Sequence, residues 1–202
     1  GIRIDLASLT SGGGVLELEG TGGNTSIDSP DTNATIGAPG DTVIVKSTSG
    51  AVGLFSQVRG YRLQLQDLGG ADALDLTLNN SNNDIDQFNT LGNGPNGRIG
   101  TLVFREANGF HITDFLGGSG VAATGFLDLR ATRFSGSSIV IDAPVTSQGG
   151  NITIVGRDVV VDGTEITTIG GGSLELNAGR AILVQGDSLL SVTDGELSVT
   201  AH

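Results

Sequence analysis

The feature that most constrains the fold is an internal repeat in the C-terminal part of the chain. Residues 149–170, GGNITIVGRDVVVDGTEITTIG, align with residues 171–192, GGSLELNAGRAILVQGDSLLSV. Ile152 falls on Leu174 at a spacing of 22, and after one inserted residue the spacing becomes 23. The pairs aligned at 23 are Arg157/Arg180, Val159/Ile182, Val161/Val184, Gly163/Gly186, Ile166/Leu189 and Ile169/Val192. A repeat of this length predicts a solenoid of stacked units.

Each copy opens with the same short tag: a glycine, any residue, and two apolar residues separated by one. The tag occurs at Gly14, Gly100, Gly125, Gly150, Gly172 and Gly195, and a looser version places Leu74 and Leu76 after Gly70. From Leu76 onward, the leading apolar residues step by 26, 25, 25, 22 and 23. This alternation predicts strands, because successive side chains of a strand point to opposite faces.

One copy holds about three short strands. In the copy that begins at Gly150, we expect strands centred on 152–154, 159–161 and 166–169, with glycine-containing corners at 156–157, 162–163 and 170–171. Glycine supplies the positive φ that tight corners need. Three strands and three corners trace one coil of a parallel β-helix, and about nine coils stacked ~4.8 Å apart would give a rod of about 40 Å. Repetition lets each coil complete the core of its neighbour.

The expected class is therefore all-β, a β-solenoid of 22–26 residues per coil, with residues 1–202 forming a single domain. Residues 20–42 contain Asp28, Asp31 and Asp41 and few apolar residues, which predicts a loop excursion before VIVKS resumes a strand. The cluster NGPNG at 93–97 predicts a second wide turn. The first residues lack the features of a signal peptide and the last residues stop within the repeat pattern, so we expect a segment of a larger or processed protein.

Composition excludes several classes of partner and site. The formal charge of −12 disfavours nucleic acid and anionic bilayers, whose binding relies on clustered Lys and Arg. The absence of cysteine removes disulfides, thiolate zinc sites and cysteine nucleophiles. No apolar run approaches the roughly 20 residues that span a bilayer, so no membrane insertion is expected.

The stretches LDLTLNNSNNDIDQF, GRIGTLVFREANGFHITDF, GFLDLRATRFSGSSIVI and GGNITIVGRDVVVDG resemble the repeats of filamentous haemagglutinin-type bacterial surface proteins. The resemblance covers residues 70–200 and is one of repeat style. It implies a right-handed parallel β-helix shaft of a secreted adhesin. The Asn motifs of that family's secretion domain are missing, so we interpret the chain as shaft and leave the export route open.

Candidate catalytic residues are few. His111 could form a triad with Asp114, but its alternation with Phe110 and Ile112 predicts a surface histidine. A hydrolase needs converging carboxylates, for which Asp72 with Asp75 and Asp84 with Asp86 are the nearest pairs in sequence. A lyase would need a basic residue beside an acidic calcium site. The available arginines are Arg130, Arg133, Arg157 and Arg180, and the last two align in the repeat, which favours a structural role.

Ion and ligand motifs are also weak. GGADALDL at 69–76 matches a calcium-binding nonapeptide once and imperfectly, and the acidic loop at 28–41 is an equally speculative ion site. The amides of NNSNND at 79–84 could bind a sugar, although corner asparagines more often hydrogen-bond the turn backbone. We therefore predict no catalytic, cofactor-binding or metal site.

These observations predict an extracellular structural or adhesive rod, a shaft segment or filament subunit at a bacterial cell surface. The expected partners are copies of the chain joined end to end or neighbouring segments of the same protein, with a glycan or host surface as a further possibility. A polysaccharide-binding or polysaccharide-degrading β-helix is the alternative function. A groove with aromatic platforms and converging carboxylates would favour that alternative, and we expect none.

Overall fold

The computed structural model describes residues 8–20, 25–27, 35–48, 50–69, 73–92, 99–132 and 137–202. This part of the chain contains strands and no helix. The strands are β1 Ser8–Leu9, β2 Val15–Gly20, β3 Thr25–Ile27, β4 Thr35–Ile36, β5 Thr42–Ser47, β6 Ala51–Leu54, β7 Gln57–Asp67, β8 Leu74–Leu78, β9 Asp84–Gly92, β10 Ile99–Glu106, β11 Gly109–Ile112, β12 Val121–Ala123, β13 Leu127–Ala131, β14 Ser138–Ile141, β15 Val145–Gln148, β16 Ile152–Asp162, β17 Glu165–Ile169, β18 Leu174–Gln185, β19 Leu189–Val192 and β20 Leu197–Ala201.

The strands wind into a β-solenoid of about seven turns with three faces. Face A stacks β3, β6, β8, β10, β13, the first halves of β16 and β18, and β20. Face B includes β1, β4, the start of β7, β11, β14 and the second halves of β16 and β18. Face C includes β2, β5, the end of β7, the end of β9, β12, β15, β17 and β19. All these pairings are parallel, which confirms the predicted β-helix architecture; its right-handed sense stays a prediction.

The register of face A follows the repeat read from the sequence. Leu76, Leu102, Leu127, Ile152, Leu174 and Leu197 are register partners in successive turns. The change of spacing from 22 to 23 is also confirmed, since the register of β16 on β18 shifts between Gly156 and Asp158. An inserted residue is therefore absorbed at the corner between faces A and B.

The register of face C differs from the alignment by one residue. Ile166 pairs with Leu190 instead of Leu189, and Thr168 pairs with Val192. A second extra residue is thus absorbed in the turn before β19. Leu190 packs against the core, whereas Leu189 is 53% exposed.

Two further predictions made from the repeat are wrong, one about the tag at Gly14 and one about the glycine at the 156–157 corner. The tag at Gly14 lies on face C, where Leu16 pairs with Val43 of β5, and not with the face A tags. Gly156 does not have positive φ, and β16 runs through it. A Cβ at Gly156 would lie 3.3 Å from the Ile139 side chain, so limited space explains this glycine better than φ does.

The other predicted corners do use positive φ. Gly163, Gly170 and Gly171 have φ of 61°, 79° and 91°. Gly120 is constrained twice, since it has φ of 66° and a Cβ there would lie 1.9 Å from the Pro144 carbonyl oxygen. Glycine at this position lets adjacent turns approach closely.

The core is one continuous column of Leu, Ile and Val with an aromatic cluster in the middle turns. Phe88 stacks on Phe104 with ring centroids 4.6 Å apart, and Phe110 meets both rings edge-on. Each inward side chain is covered by the turns above and below it, so it is fully buried only where both neighbouring turns are present.

Part of the predicted excursion at 20–42 belongs to the solenoid. β3 and β4 pair with β6 and β7, and Asp41 closes the corner before β5. The Asp41 carboxylate accepts the backbone N–H groups of Ser11, Gly13 and Ala38. Burial opposes ionisation of Asp41, but these N–H groups hold its pKa below the usual value. Residues 21–24, 28–34 and 93–98, with Asp28, Asp31 and NGPNG, lie outside the described residues, and the excursion stays a prediction.

Candidate functional site

The C-terminal end of the solenoid presents three strand edges that no described strand pairs with. These edges belong to residues 181–185 of β18, residues 189–192 of β19 and residues 197–201 of β20. We call this set the C-terminal end surface. An unpaired edge exposes a row of backbone N–H and C=O groups that can pair with another strand.

Apolar side chains lie beside these edges. Val184, Leu197 and Val199 face the interior of the coil yet are 43%, 47% and 48% exposed. Their register partners one turn below, Val161, Leu174 and Leu176, are each 0% exposed. The same ladder position is therefore buried within the rod and open at its end. The C-terminal end surface combines unpaired backbone with uncovered core.

His111 lies on face B and points to solvent, as its alternation with apolar residues predicted. Phe110 and Ile112 are buried on either side of it, and the His111 side chain is 54% exposed. Its Nδ1 lies 3.4 Å from Asp142, not from the Asp114 considered for a triad. Ser138, a hydroxyl in the same groove, donates to Asp158 at 3.2 Å.

A shallow groove of about 390 Å³ surrounds His111. Tyr61, which is 42% exposed, lines it together with Asp86 and Asn108. The Arg62 guanidinium lies 5.1 Å from the centre of the Tyr61 ring, a cation–π arrangement that orients the ring. We call this the Tyr61 groove. The Tyr61 groove offers one aromatic surface beside hydrogen-bonding groups, whereas from the sequence we expected no groove with aromatic platforms.

The predicted carboxylate pairs serve contacts between turns. Asp84 accepts Arg59 at 3.4 Å and Asn108 at 2.9 Å. Asp75 accepts the backbone N–H of Thr101 in the next turn at 2.7 Å. Asp72 lies outside the described residues. Among the residues that the structure describes, no group of three or more His, Cys, Asp or Glu could hold a metal ion.

The amides of residues 79–84 bind the backbone of neighbouring turns. Asn83 accepts the buried N–H of Val58 at 2.8 Å and donates to the carbonyl of Arg105 at 2.8 Å, so it joins three turns. Asn80 donates to the carbonyl of Phe55 at 3.0 Å. The structural role predicted for these asparagines is confirmed at both positions.

No protein-family model, curated protein or solved structure matches this chain. The β-solenoid is therefore established by the strand pairing alone. The resemblance to filamentous haemagglutinin-type repeats stays a prediction. In the described residues, no helix is long and apolar enough to cross a membrane.

Two of the arginines noted in the sequence, Arg130 and Arg180, form ion pairs near the corner between faces A and B. Arg180 donates twice to Asp158, at 2.7 Å for each bond. This contact, against the cost of burial, holds the pKa of Asp158 below its usual value. Arg130 donates to Asp128 at 2.5 Å. Arg180 thus has the structural role expected of it, while Arg133 lies outside the described residues.

Sequence reasoning missed Glu106, a fully buried carboxyl at the end of β10. The backbone N–H of Gly109 donates to its Oε2, while Oε1 has no hydrogen-bond partner. Burial raises the pKa of Glu106 to about 7. The signal was present in the sequence, because Leu102, Phe104 and Glu106 alternate and the last must share the inward side of the first two.

Proposed function

We propose that the chain is an extracellular structural and adhesive rod, a shaft segment or filament subunit of a bacterial surface protein. The observation that carries the proposal is the stacking of parallel strands in register through about seven turns, whose ladders of backbone and core positions continue up to the C-terminal end surface. The repeats of the chain resemble those of filamentous haemagglutinin-type proteins, and this resemblance supports a location at the cell surface.

The stacking supports a load-bearing role. Parallel strands of successive turns are joined by hydrogen bonds that run along the rod axis, and side chains such as Asn83 add cross-links between turns. Extending the rod would therefore require many backbone hydrogen bonds to break together. A formal charge of −12 keeps such a rod soluble and disfavours binding to nucleic acid or anionic membranes.

The occupant that fits the C-terminal end surface is another solenoid turn. Only a turn with matching strands would pair all three edges and cover Val184, Leu197 and Val199 at once. That turn comes from a neighbouring segment of the same protein or, for the isolated chain, from a second copy joined end to end. Such a head-to-tail contact uses different surfaces on the two copies, so it can propagate into a filament.

Sedimentation velocity of the purified chain over a range of concentrations tests this proposal. We expect the sedimentation coefficient to rise with concentration and Val199→Lys to abolish that rise, because the lysine charge would be buried in the joint. Thr200→Lys is the matched control. Thr200 follows Val199 on the same strand, so its side chain points to the opposite face of the sheet from Val199. This variant should associate like the wild type.

A wild-type chain that stays monomeric at all concentrations would refute end-to-end association. Equal loss of association in the Val199→Lys and Thr200→Lys variants would show that added charge, and not the uncovered core, is responsible. Circular dichroism of both variants separates these results from unfolding.

Saccharide binding is the second candidate function, and the Tyr61 groove favours it. An exposed aromatic ring stacks on the apolar face of a sugar, while Asp86 and Asn108 supply hydrogen-bonding groups. A glycan array with the wild type and Tyr61→Ala tests it. Binding lost in Tyr61→Ala would support a glycan-binding rod. Turnover of a polysaccharide would instead favour the degrading enzyme, which we do not expect.

A further inference from the structure

Three arginines from successive turns line a cavity at the corner between faces A and B. They are Arg105 after Phe104 in β10, Arg130 in β13 and Arg157 in β16. The cavity has a volume of about 270 Å³, and Ala131, Thr132, Val155 and Gly156 complete its wall. We call it the arginine corner.

The arrangement of these charges is unfavourable without a further anion. Arg105 and Arg130 are direct register partners on adjacent parallel strands. Like charges opposite one another on neighbouring strands destabilise a sheet. This happens in a chain with only 10 Lys and Arg against 22 Asp and Glu, so the cluster stands out from the composition.

The described acidic side chains compensate this charge only in part. Asp128 pairs with Arg130, and Asp158 is taken by Arg180. Arg105 forms no ion pair with another described residue, and its Nε is buried without a hydrogen-bond partner. A buried donor left unpaired is costly, so negative charge placed beside the Arg105 guanidinium would stabilise this part of the chain.

We infer that the arginine corner binds an oxyanion group, a carboxylate, sulfate or phosphate. The guanidinium fork matches two oxygens of such a group, so one oxyanion can accept from the Arg105 guanidinium and from a neighbouring arginine at the same time. It would also relieve the repulsion between Arg105 and Arg130. The group comes from a free anion or from the acid group of a sugar.

A long nucleic acid is a poor fit for this site. Duplex DNA carries about one negative charge per 1.7 Å of axis, and its binding requires many positive contacts. The arginine corner offers three on a rod whose formal charge is −12. A single oxyanion needs only the local cluster.

The test is a titration of the wild type followed by NMR of the arginine Nε–H signals. The probes are sodium sulfate, sodium phosphate and sodium glucuronate at constant ionic strength, with glucose as the neutral control. We expect the Arg105 Nε–H signal to shift with the oxyanions and not with glucose. Glucuronate binding about tenfold tighter than sulfate or phosphate identifies a sugar acid as the source, a difference of about 1.4 kcal/mol. Equal binding identifies a free-anion site.

Arg105→Gln should weaken oxyanion binding about tenfold or more, since it removes one charge-assisted pair of hydrogen bonds. Its melting temperature without oxyanion should not fall below that of the wild type, because the repulsion with Arg130 is gone. The matched control is Lys46→Gln, which also removes one positive charge but at the Glu17 pair on face C. It should bind the oxyanion like the wild type.

Two results would overturn the inference. One is an Arg105 Nε–H signal that none of the three oxyanions moves. The other is an Arg105→Gln variant that binds as tightly as the wild type, which would place the anion elsewhere on the surface. The wild-type titration decides the first result even if the variant folds poorly.

Discussion

Protonation of Glu106 should govern how the stability of the rod depends on pH. The carboxyl is fully buried, and its pKa is raised from 4.5 to about 7, by burial first and by the nearby Asp84 charge as well. Between these values the unfolded chain releases the proton while the folded chain keeps it. The free energy of unfolding must therefore fall as pH rises through this window.

The size of the effect follows from the two pKa values. At 1.36 kcal/mol per pH unit, the interval from 4.5 to about 7 corresponds to a loss of about 3 kcal/mol once Glu106 is ionised in both states. About 2.5 kcal/mol of this should be lost between pH 5 and pH 8. That is a large part of the stability of an ordinary domain.

Glu106→Gln isolates the contribution of this one group. Glutamine resembles the protonated carboxyl in shape and does not titrate, so the variant should match the wild type near pH 4 and exceed its stability at pH 8. Urea unfolding of both proteins at several pH values gives the comparison. Repulsion among the remaining carboxylates acts on both proteins and cancels in the difference.

The reasoning is refuted if the two stability curves run parallel between pH 5 and pH 8. A difference that grows with pH but vanishes at high salt would point to long-range charge instead of burial. Asp41 and Asp158, whose pKa values are lowered, act with the opposite sign. They stabilise the fold above their ordinary pKa of 3.8, and that stability is lost as pH falls further.

Two further substitutions test the packing between turns by urea unfolding. Asn83→Ala should cost about 1–3 kcal/mol because it leaves the buried N–H of Val58 unpaired, whereas exposed Asn82→Ala should change stability by less than about 0.5 kcal/mol. Phe104→Ala should cost about 3–5 kcal/mol because it opens the aromatic cluster, and outward-facing Val103→Ala should cost much less. Equal losses in either pair would contradict the assigned faces.

The register of face A was predictable because each turn carries one unambiguous marker. A glycine followed by two alternating apolar residues fixes both the position and the face of the strand. Leu102, Leu127, Ile152, Leu174 and Leu197 follow this rule, and Leu76 follows its looser form. The insertion after Gly156 was also readable, since the apolar alternation on both sides of it stays intact.

The register of face C could not be fixed in the same way. Leu189 and Leu190 are adjacent and both apolar, so alternation does not say which of them points inward. The polar turn at Asp187 and Ser188 can absorb one residue or none. Ser188 donates to the carbonyl of Val161 at 3.1 Å, a contact between turns that places Leu190, not Leu189, over Ile166.

The arginine corner was also within reach of the sequence. Arg105 and Arg130 are 25 residues apart, the same step as Leu102 to Leu127, so the repeat already places them side by side. The spacing does not reveal that Asp128 turns to Arg130 and leaves Arg105 without a partner. That asymmetry depends on side-chain geometry, which a periodic pattern does not encode.

The residues best placed for binding or for a chemical role are those that depart from the repeat pattern. Within the rod, an inward apolar residue is covered from both sides and is therefore not available for binding. Glu106 places a carboxyl at an inward position, where its register partner in the next turn is the apolar Ala131. Arg105 has Arg130 as its register partner, where an acidic residue would have formed an ion pair. Val199 occupies a core position that no other described turn covers. Because neighbouring turns supply the expected residue at each position, such departures can be located by comparing a solenoid with itself.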